Sequence, residues 1–298
     1  MSNKALVTVV IGEYTTEGWK RWFLPTWEQY ARKHGYDIVV LDDYVDGNPK
    51  GRTPNWQKLR ILEHPKVNKY EHVVWLDADI LINHHTAPCV VEHHDSDRVG
   101  LVCDKEVLRI PLRIDNLAAR LHRIVGPHAF VPLSDIYRKI GLDETVDDYS
   151  NTGVMVLRTS RHRSVLEHIY TAFEEKPGSA KEEVPTSWYL HGNGLTKGLD
   201  KRFNQIWIWE MLEHQPHVWR RRFRLADNPQ LEALLTIAVN TVWHNSWFLH
   251  FTADGFRDND GVFYSCREDV RFVRTDCASI LDFDINQKDG GIAVACAG

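Results

Sequence analysis

The sequence predicts an α/β fold: one domain over residues 1–255, built on a mostly parallel mixed central sheet flanked by helices, followed by a partly irregular appendage over 256–298. Three observations predict it. The chain opens with an apolar β-branched run (ALVTVVI), a helical stripe and a second apolar run (YDIVVL), the pattern of a strand–helix–strand unit. The stretch Val73 to Asn83, VVWLDADILIN, is apolar except at Asp77, Asp79 and its last residue, as expected of a strand buried on both faces. At 298 residues, 43% hydrophobic and 26% charged, the chain is long enough to bury an ample core.

Taken in order, Ala5 to Ile11 reads as the first strand, closed by Gly12. Glu13-Tyr14-Thr15-Thr16 reads as a turn. Trp19, Trp22, Phe23, Trp27, Tyr30 and Ala31 then recur mainly at three and four, one face of a helix that Pro25 starts or kinks and Gly35 ends. Tyr36 to Leu41 is the second strand. Asp42-Asp43 follow at its carboxyl end, where α/β sheets bind ligands, with a solvated loop as the other reading. Pro54 to Leu62 is a short helix presenting Lys58, and Tyr70 to Ile82 is the central strand. The opening is Rossmann-like, yet no Gly-x-Gly-x-x-Gly follows the first strand, which argues against a dinucleotide site of the usual type.

Arg98 to Cys103 is a further short strand, and Lys105 to Ile140 is mostly helical by pattern. Tyr149 to Leu157, YSNTGVMVL, is a strand with a polar opening. Ser160 to Glu175 is a helix with Ser160 as N-cap and Val165, Leu166, Ile169, Tyr170 and Phe173 as its buried stripe. Leu199 to Trp209, LDKRFNQIWIW, enters another strand. Trp207 and Trp209 are either buried there in a two-sided sheet or, with Trp188, offer a flat ligand a stacking surface. Trp247 to Phe251, WFLHF, is the last strand of the core.

A net charge of −5 argues against a broad nucleic-acid-binding surface. No apolar run approaches the roughly 20 residues that cross a membrane. Met1-Ser2-Asn3-Lys4 leads straight into a strand without a separable signal peptide, so the expected compartment is the cytoplasm. Five scattered cysteines, Cys89, Cys103, Cys266, Cys277 and Cys296, read as free thiols.

The acidic pair in the central run needs a partner. Residues at i and i+2 of a strand share a face, so Asp77 and Asp79 converge if the strand continues. Two like charges about 4 Å apart repel by roughly 1 kcal/mol in water and about 4 kcal/mol near a protein surface. A divalent cation converts that repulsion into coordination, and oxygen ligands favour magnesium or manganese over zinc. The competing reading gives one aspartate to a cap and the other to solvent.

Together, VVWLDADILI, YSNTGVMVL, LDKRFNQIW and the His250-Phe251 pair resemble the GT-A glycosyltransferases, nearest to families 8 and 34, over about residues 5 to 255. The resemblance implies a metal-dependent transfer of a sugar from a nucleotide-sugar donor, UDP- or GDP-linked, to a saccharide or other hydroxyl-bearing acceptor, with retention of configuration. It implies manganese or magnesium on Asp77, Asp79 and His250, with Asn151 beside the donor sugar. Lys58 would face phosphate or a sugar hydroxyl, Tyr14 would stack on the base, and Asp42 would accept from the ribose hydroxyls. For each, a packed or solvated side chain is the alternative.

Two departures from the family pattern stand out. Relatives carry an Asp-Gln pair after the long helix, where this chain has Glu182-Glu183; Glu183 is the candidate for the acidic group near the anomeric carbon, or else a helix-start carboxylate. The lysine that follows the histidine in relatives is missing from HFTADGFRDND, and Arg257 or Trp219-Arg220-Arg221-Arg222 would have to compensate. The altered Asp-Gln position keeps open a non-catalytic nucleotide-sugar- or glycan-binding protein on the same scaffold. A nucleotidyltransferase is the third reading, for which GEYTTEGWK is a poor version of the required loop.

Overall fold

The computed structural model describes residues 2–103, 133–175, 181–207, 210, 238–239 and 241–251. Two sheets share the work. The larger has six strands in the order β2-β1-β3-β6-β5-β7, formed by β1 (Lys4–Val9), β2 (Asp37–Leu41), β3 (His72–Leu76), β5 (Val99–Leu101), β6 (Val154–Arg158) and β7 (Thr196–Gly198). β1 pairs parallel with β2 and β3, and β5 pairs parallel with β7, while β6 runs antiparallel between β3 and β5. The smaller sheet has three strands in the order β4-β9-β8, from β4 (Ile80–Ile82), β8 (Gln205–Ile206) and β9 (Phe248–His250).

Strand alternation divides the core between the two faces of the larger sheet. Leu6, Val74, Val154 and Val156 face one side. There α1 (Glu13–Trp22), α2 (Leu24–His34) and the smaller sheet pack through Trp19, Trp27, Tyr30, Leu81 and Phe248. Ala5, Val7, Val73, Trp75, Met155 and Leu157 face the other. Against them lie two 3₁₀ turns, Pro54–Leu59 and Ile61–Glu63, and the helix α5 (Thr159–Ala172), through Trp56, Leu62, Leu166 and Ile169. Among the described residues, further helices include α3 (Val90–His94), α4 (Leu133–Lys139) and α6 (Glu183–Gly192).

Several boundaries differ from the sequence reading. Glu13 to Thr16 form the first turn of α1, not a turn before it; Gly12 sits at φ 92° and accepts from the Thr16 hydroxyl (2.8 Å). Pro25 does open a helix, α2, and Gly35 ends it at φ 71° in the left-handed region, where glycine carries no Cβ penalty. α5 begins at Thr159, so Ser160 lies inside it rather than capping it. Thr159 is held by its N–H to Glu71 O and its hydroxyl to Tyr70 O (2.6 Å). Most consequential, Tyr70 to Ile82 is not one strand: β3 stops at Leu76 and the chain changes sheet across Asp77-Ala78-Asp79.

Among the described residues, no helix is long and apolar enough to cross a membrane. Residues 104–132, Trp209, the Trp219-Arg222 cluster, Arg257, Cys266, Cys277, Cys296 and the appendage over 256–298 lie outside the described residues.

Candidate metal and donor site

The site forms where the two sheets meet. Asp77 N–H donates to Gly153 O (2.8 Å), carrying the β3–β6 pairing one residue past the strand. β4 then pairs antiparallel with β9, placing Ile80 opposite His250, and Phe251 N–H donates to Asp79 O (3.0 Å). Backbone pairing on both sides of the triplet thus fixes where the three side chains point. Asp77, Asp79 and His250 offer ligand atoms that all lie within 4.8 Å of one another. His250 Nε2 is 3.2 Å from Asp79 Oδ1 and 3.9 Å from Asp77 Oδ2.

The imidazole is oriented by a chain of carboxamides whose polarity the backbone dictates. Gly153 N–H donates to Asn151 Oδ1 (2.9 Å), so the other end of that amide, Nδ2, is the donor to Glu183 Oε2 (2.6 Å). Asn204 Nδ2 also donates to Asn151 Oδ1 (2.9 Å), which leaves Asn204 Oδ1 facing His250 Nδ1 at 2.8 Å. An acceptor there requires the proton on Nδ1, and Nε2 is the nitrogen aimed at the carboxylates. A histidine that donates its distal N–H to a fixed oxygen has the arrangement of a metal ligand. Space enforces the same placement: a Cβ on Gly153 would lie 2.3 Å from His250 Cε1 and 2.8 Å from Asn151 Oδ1.

Lys58 is not an exposed helix lysine. It is 1% exposed and bridges Asp77 Oδ1 (2.9 Å) and Glu182 Oε1 (2.8 Å), with a further bond to Thr152 Oγ1 (3.2 Å). Burial opposes its charge, but Asp77 and Glu182 outweigh that and raise its pKa. Burial likewise disfavours the Asp77 carboxylate, yet Lys58 and His250 hold its pKa below the usual value. Trp75 Nε1 donates to the same Asp77 Oδ1 (2.8 Å). For His250, burial favours the neutral ring, and the Asp79 and Asp77 carboxylates overcome it and raise the pKa. Asp79 Oδ1 is buried and takes no hydrogen bond of good geometry. An acceptor in that state beside a second carboxylate fits a cation.

Glu183 stands at the first position of α6, a turn of helix that accepts negative charge well. It takes a hydrogen bond from the Tyr149 hydroxyl as well as from Asn151. Burial nonetheless pushes its carboxyl up to about 7; the Tyr149 bond works against the shift and the Glu182 charge adds to it. Two adjacent glutamates therefore differ in kind: Glu182 is sealed in an ion pair, and Glu183 is poised to exchange a proton near neutrality.

Of the residues singled out from the sequence, the structure gathers Asp77, Asp79, His250, Lys58, Asn151 and Glu183 into one continuous network. Asp42 is exposed at the end of β2, where its charge acts on His64, and joins no contact with that network among the described residues. Tyr14 lies in the first turn of α1, and its side chain is outside the description. Trp207 is buried, just beyond the two-residue β8 and against Phe251. It is core, not a stacking platform, and it is not in a strand. Trp188 donates its Nε1 to Asp143 O (2.9 Å). Tyr149, Thr152, Gly153 and Asn204 escaped the sequence reading as individual residues, as did any role for Glu182. The signal for four of them was present, since polar residues interrupting YSNTGVMVL and LDKRFNQIW need buried partners.

No family model and no curated protein matches the chain. Among solved structures, the chain is similar to a glycosyltransferase involved in glycosylating the major capsid of PBCV-1, at 13% identity and TM-score 0.49 over 91% of this chain and 99% of that one. It is similar to the galactosyltransferase LgtC, solved with donor and acceptor sugar analogues, at 13% identity and TM-score 0.44 over 91% and 95%. It is similar also to the glycosyltransferase GlyE of Streptococcus pneumoniae, at 10% identity and TM-score 0.43 over 93% and 64%.

Proposed function

We propose that the chain is a metal-dependent glycosyltransferase of the GT-A type, moving a sugar from a UDP- or GDP-linked donor to the hydroxyl of a saccharide or other acceptor, with retention of anomeric configuration. The observation that supports this most is the convergence of Asp77, Asp79 and His250 at the carboxyl end of β3, joined through Asn204 and Asn151 to Glu183. Two carboxylates and one imidazole suit manganese or magnesium and leave several octahedral positions for diphosphate oxygens and water. Bound there, the ion would neutralise charge on the departing nucleoside diphosphate.

The chain's own residues supply the remainder. Lys58 offsets one of the two negative charges of Asp77 and Glu182 and holds both carboxylates in place. Asn151, with one amide end fixed by the Gly153 N–H, holds Glu183 by the other. Glu183, with Tyr149 on its second oxygen, is the group that we assign to the reacting carbon's side of the donor, as a carboxylate that shields positive charge or an acid that gives up its proton.

The test is incubation with a panel of nucleotide sugars and manganese. Slow donor hydrolysis is expected, abolished by chelation and by Asp79→Asn. Donor affinity unchanged in Asp77→Asn/Asp79→Asn would remove the metal from the reading. The Glu182-Glu183 pair also supports a second reading, a nucleotide-sugar-binding protein without turnover; donor binding with neither hydrolysis nor transfer across a wide acceptor panel would establish that one.

A further inference from the structure

A second set of ligating side chains lies apart from the acidic triplet and takes no part in the proposed transfer. Cys103, just past β5, Asp148, in the segment before β6, and His191, in the last turn of α6, bring a thiol sulfur, a carboxylate oxygen and a ring nitrogen within 4.8 Å of one another. Sequence neighbourhood does not bring them together. The isolated antiparallel bridge Cys103↔Ser150 sets the first beside the second, and α6 lays the third over both.

The histidine is oriented for coordination. Ser150 Oγ lies 2.9 Å from Nε2, and Ser150 N–H donates to Ser187 Oγ (2.9 Å), which fixes the serine's backbone. With Nε2–H donating to that hydroxyl, the Nδ1 lone pair faces Asp148 Oδ2 at 3.8 Å, too far for a hydrogen bond. Thr196 Oγ1, 3.3 Å from Nδ1, is the long contact an ion would replace. A tetrahedral zinc with bonds of about 2.0–2.2 Å to N and O sets those atoms roughly 3.4 Å apart, a few tenths of an ångström closer than His191 Nδ1 and Asp148 Oδ2 stand, while the sulfur lies within 4.8 Å of both. A thiolate and a carboxylate together neutralise a divalent charge.

We propose that Cys103, Asp148 and His191 form a zinc site of Cys-Asp-His composition, with the fourth position open to water. Such an ion would staple α6, the helix that begins with Glu183, to the end of the sheet where β5 finishes and β6 starts. A thiolate ligand selects zinc, whereas the all-oxygen-and-imidazole triplet at Asp77, Asp79 and His250 favours a harder ion.

The full-length chain, stripped of metal, is titrated with cobalt(II) as a spectroscopic substitute for zinc. The expected result is a thiolate-to-cobalt charge-transfer band and strong tetrahedral d–d bands at one equivalent, bleached by zinc. Both should persist in Asp77→Asn/Asp79→Asn, disappear in Cys103→Ser, and require at least ten-fold more cobalt in His191→Gln. Manganese binding at the acidic triplet should be unaffected by Cys103→Ser, which separates failure of this site from failure of the transferase reading. Absence of a thiolate band in wild type, or a band retained in Cys103→Ser, overturns the site. Should Cys103→Ser fail to fold by circular dichroism, Asp148→Asn and His191→Gln decide the matter: an unchanged cobalt midpoint in both is equally fatal.

Discussion

Gly153 and His250 are shaped to each other: the imidazole fills the volume that any side chain at position 153 would need, with Cε1 2.3 Å and Nδ1 2.7 Å from where a Cβ would stand. Both partners are held by backbone pairing, β9 against β4 on one side and the Gly153 carbonyl against Asp77 N–H on the other. Neither can step aside cheaply. Gly153→Ala should therefore expel the ring while leaving the sheet assembled. Manganese affinity, followed by the electron paramagnetic resonance of free ion, is expected to fall about 10–100-fold; wild-type affinity in the alanine variant would mean that the ring is not a ligand.

Asn204 should matter through the tautomer it imposes. Asn204→Leu removes the acceptor at His250 Nδ1 and the donor to Asn151 Oδ1 together. The expected outcome is a shift of the imidazole ¹⁵N resonances toward a mixture of tautomers, with weaker manganese binding of similar size to that of Gly153→Ala. Identical ¹⁵N spectra for variant and wild type would refute the relay.

Lys58 is shared by Asp77 and Glu182. Replacing it by methionine preserves volume but strands the buried Glu182 and the partly buried Asp77, a loss of about 3–5 kcal/mol in unfolding free energy. Adding Glu182→Gln in that background should restore part of it, because one of the two uncompensated charges is then gone. Urea melts of the two single variants, the double variant and wild type close the cycle; additive losses would show that the pair is not coupled.

The Glu183 carboxyl, raised to about 7 in the folded chain against 4.5 as reference, makes stability depend on pH in a definite direction. The native state binds this proton more tightly than the unfolded chain does, so the contribution is full below about 4.5 and is lost as pH rises through about 7. Glu183→Gln abolishes the titration. Its melting temperature relative to wild type is expected to climb between about pH 5 and pH 8; parallel profiles would place the carboxyl in water.

Much of the scaffold could be read from residues in order, because its strands are runs that bury both faces and its first helices carry a regular aromatic stripe. Gly35 and Pro25 punctuate as their backbone limits require. The change of sheet at Asp77-Ala78-Asp79 was hidden, since Ile80-Leu81-Ile82 is equally at home continuing β3 or starting β4. Only the pairing with Phe248–His250, distant in sequence, decides it. Lys58 was ambiguous for the same reason: helical position alone does not reveal that Asp77 and Glu182 close over it. Glu13 to Thr16 mimic a turn in composition, whereas Gly12 swings the chain directly into α1.

That junction between the sheets carries a kinetic corollary. The triplet acquires its third member only after β9 docks beside β4, a long-range closure whose entropy cost is met late in refolding. Competence to capture manganese should accordingly lag the recovery of far-ultraviolet dichroism in stopped-flow refolding, so that the ion reports completion of the molecule and does not nucleate it.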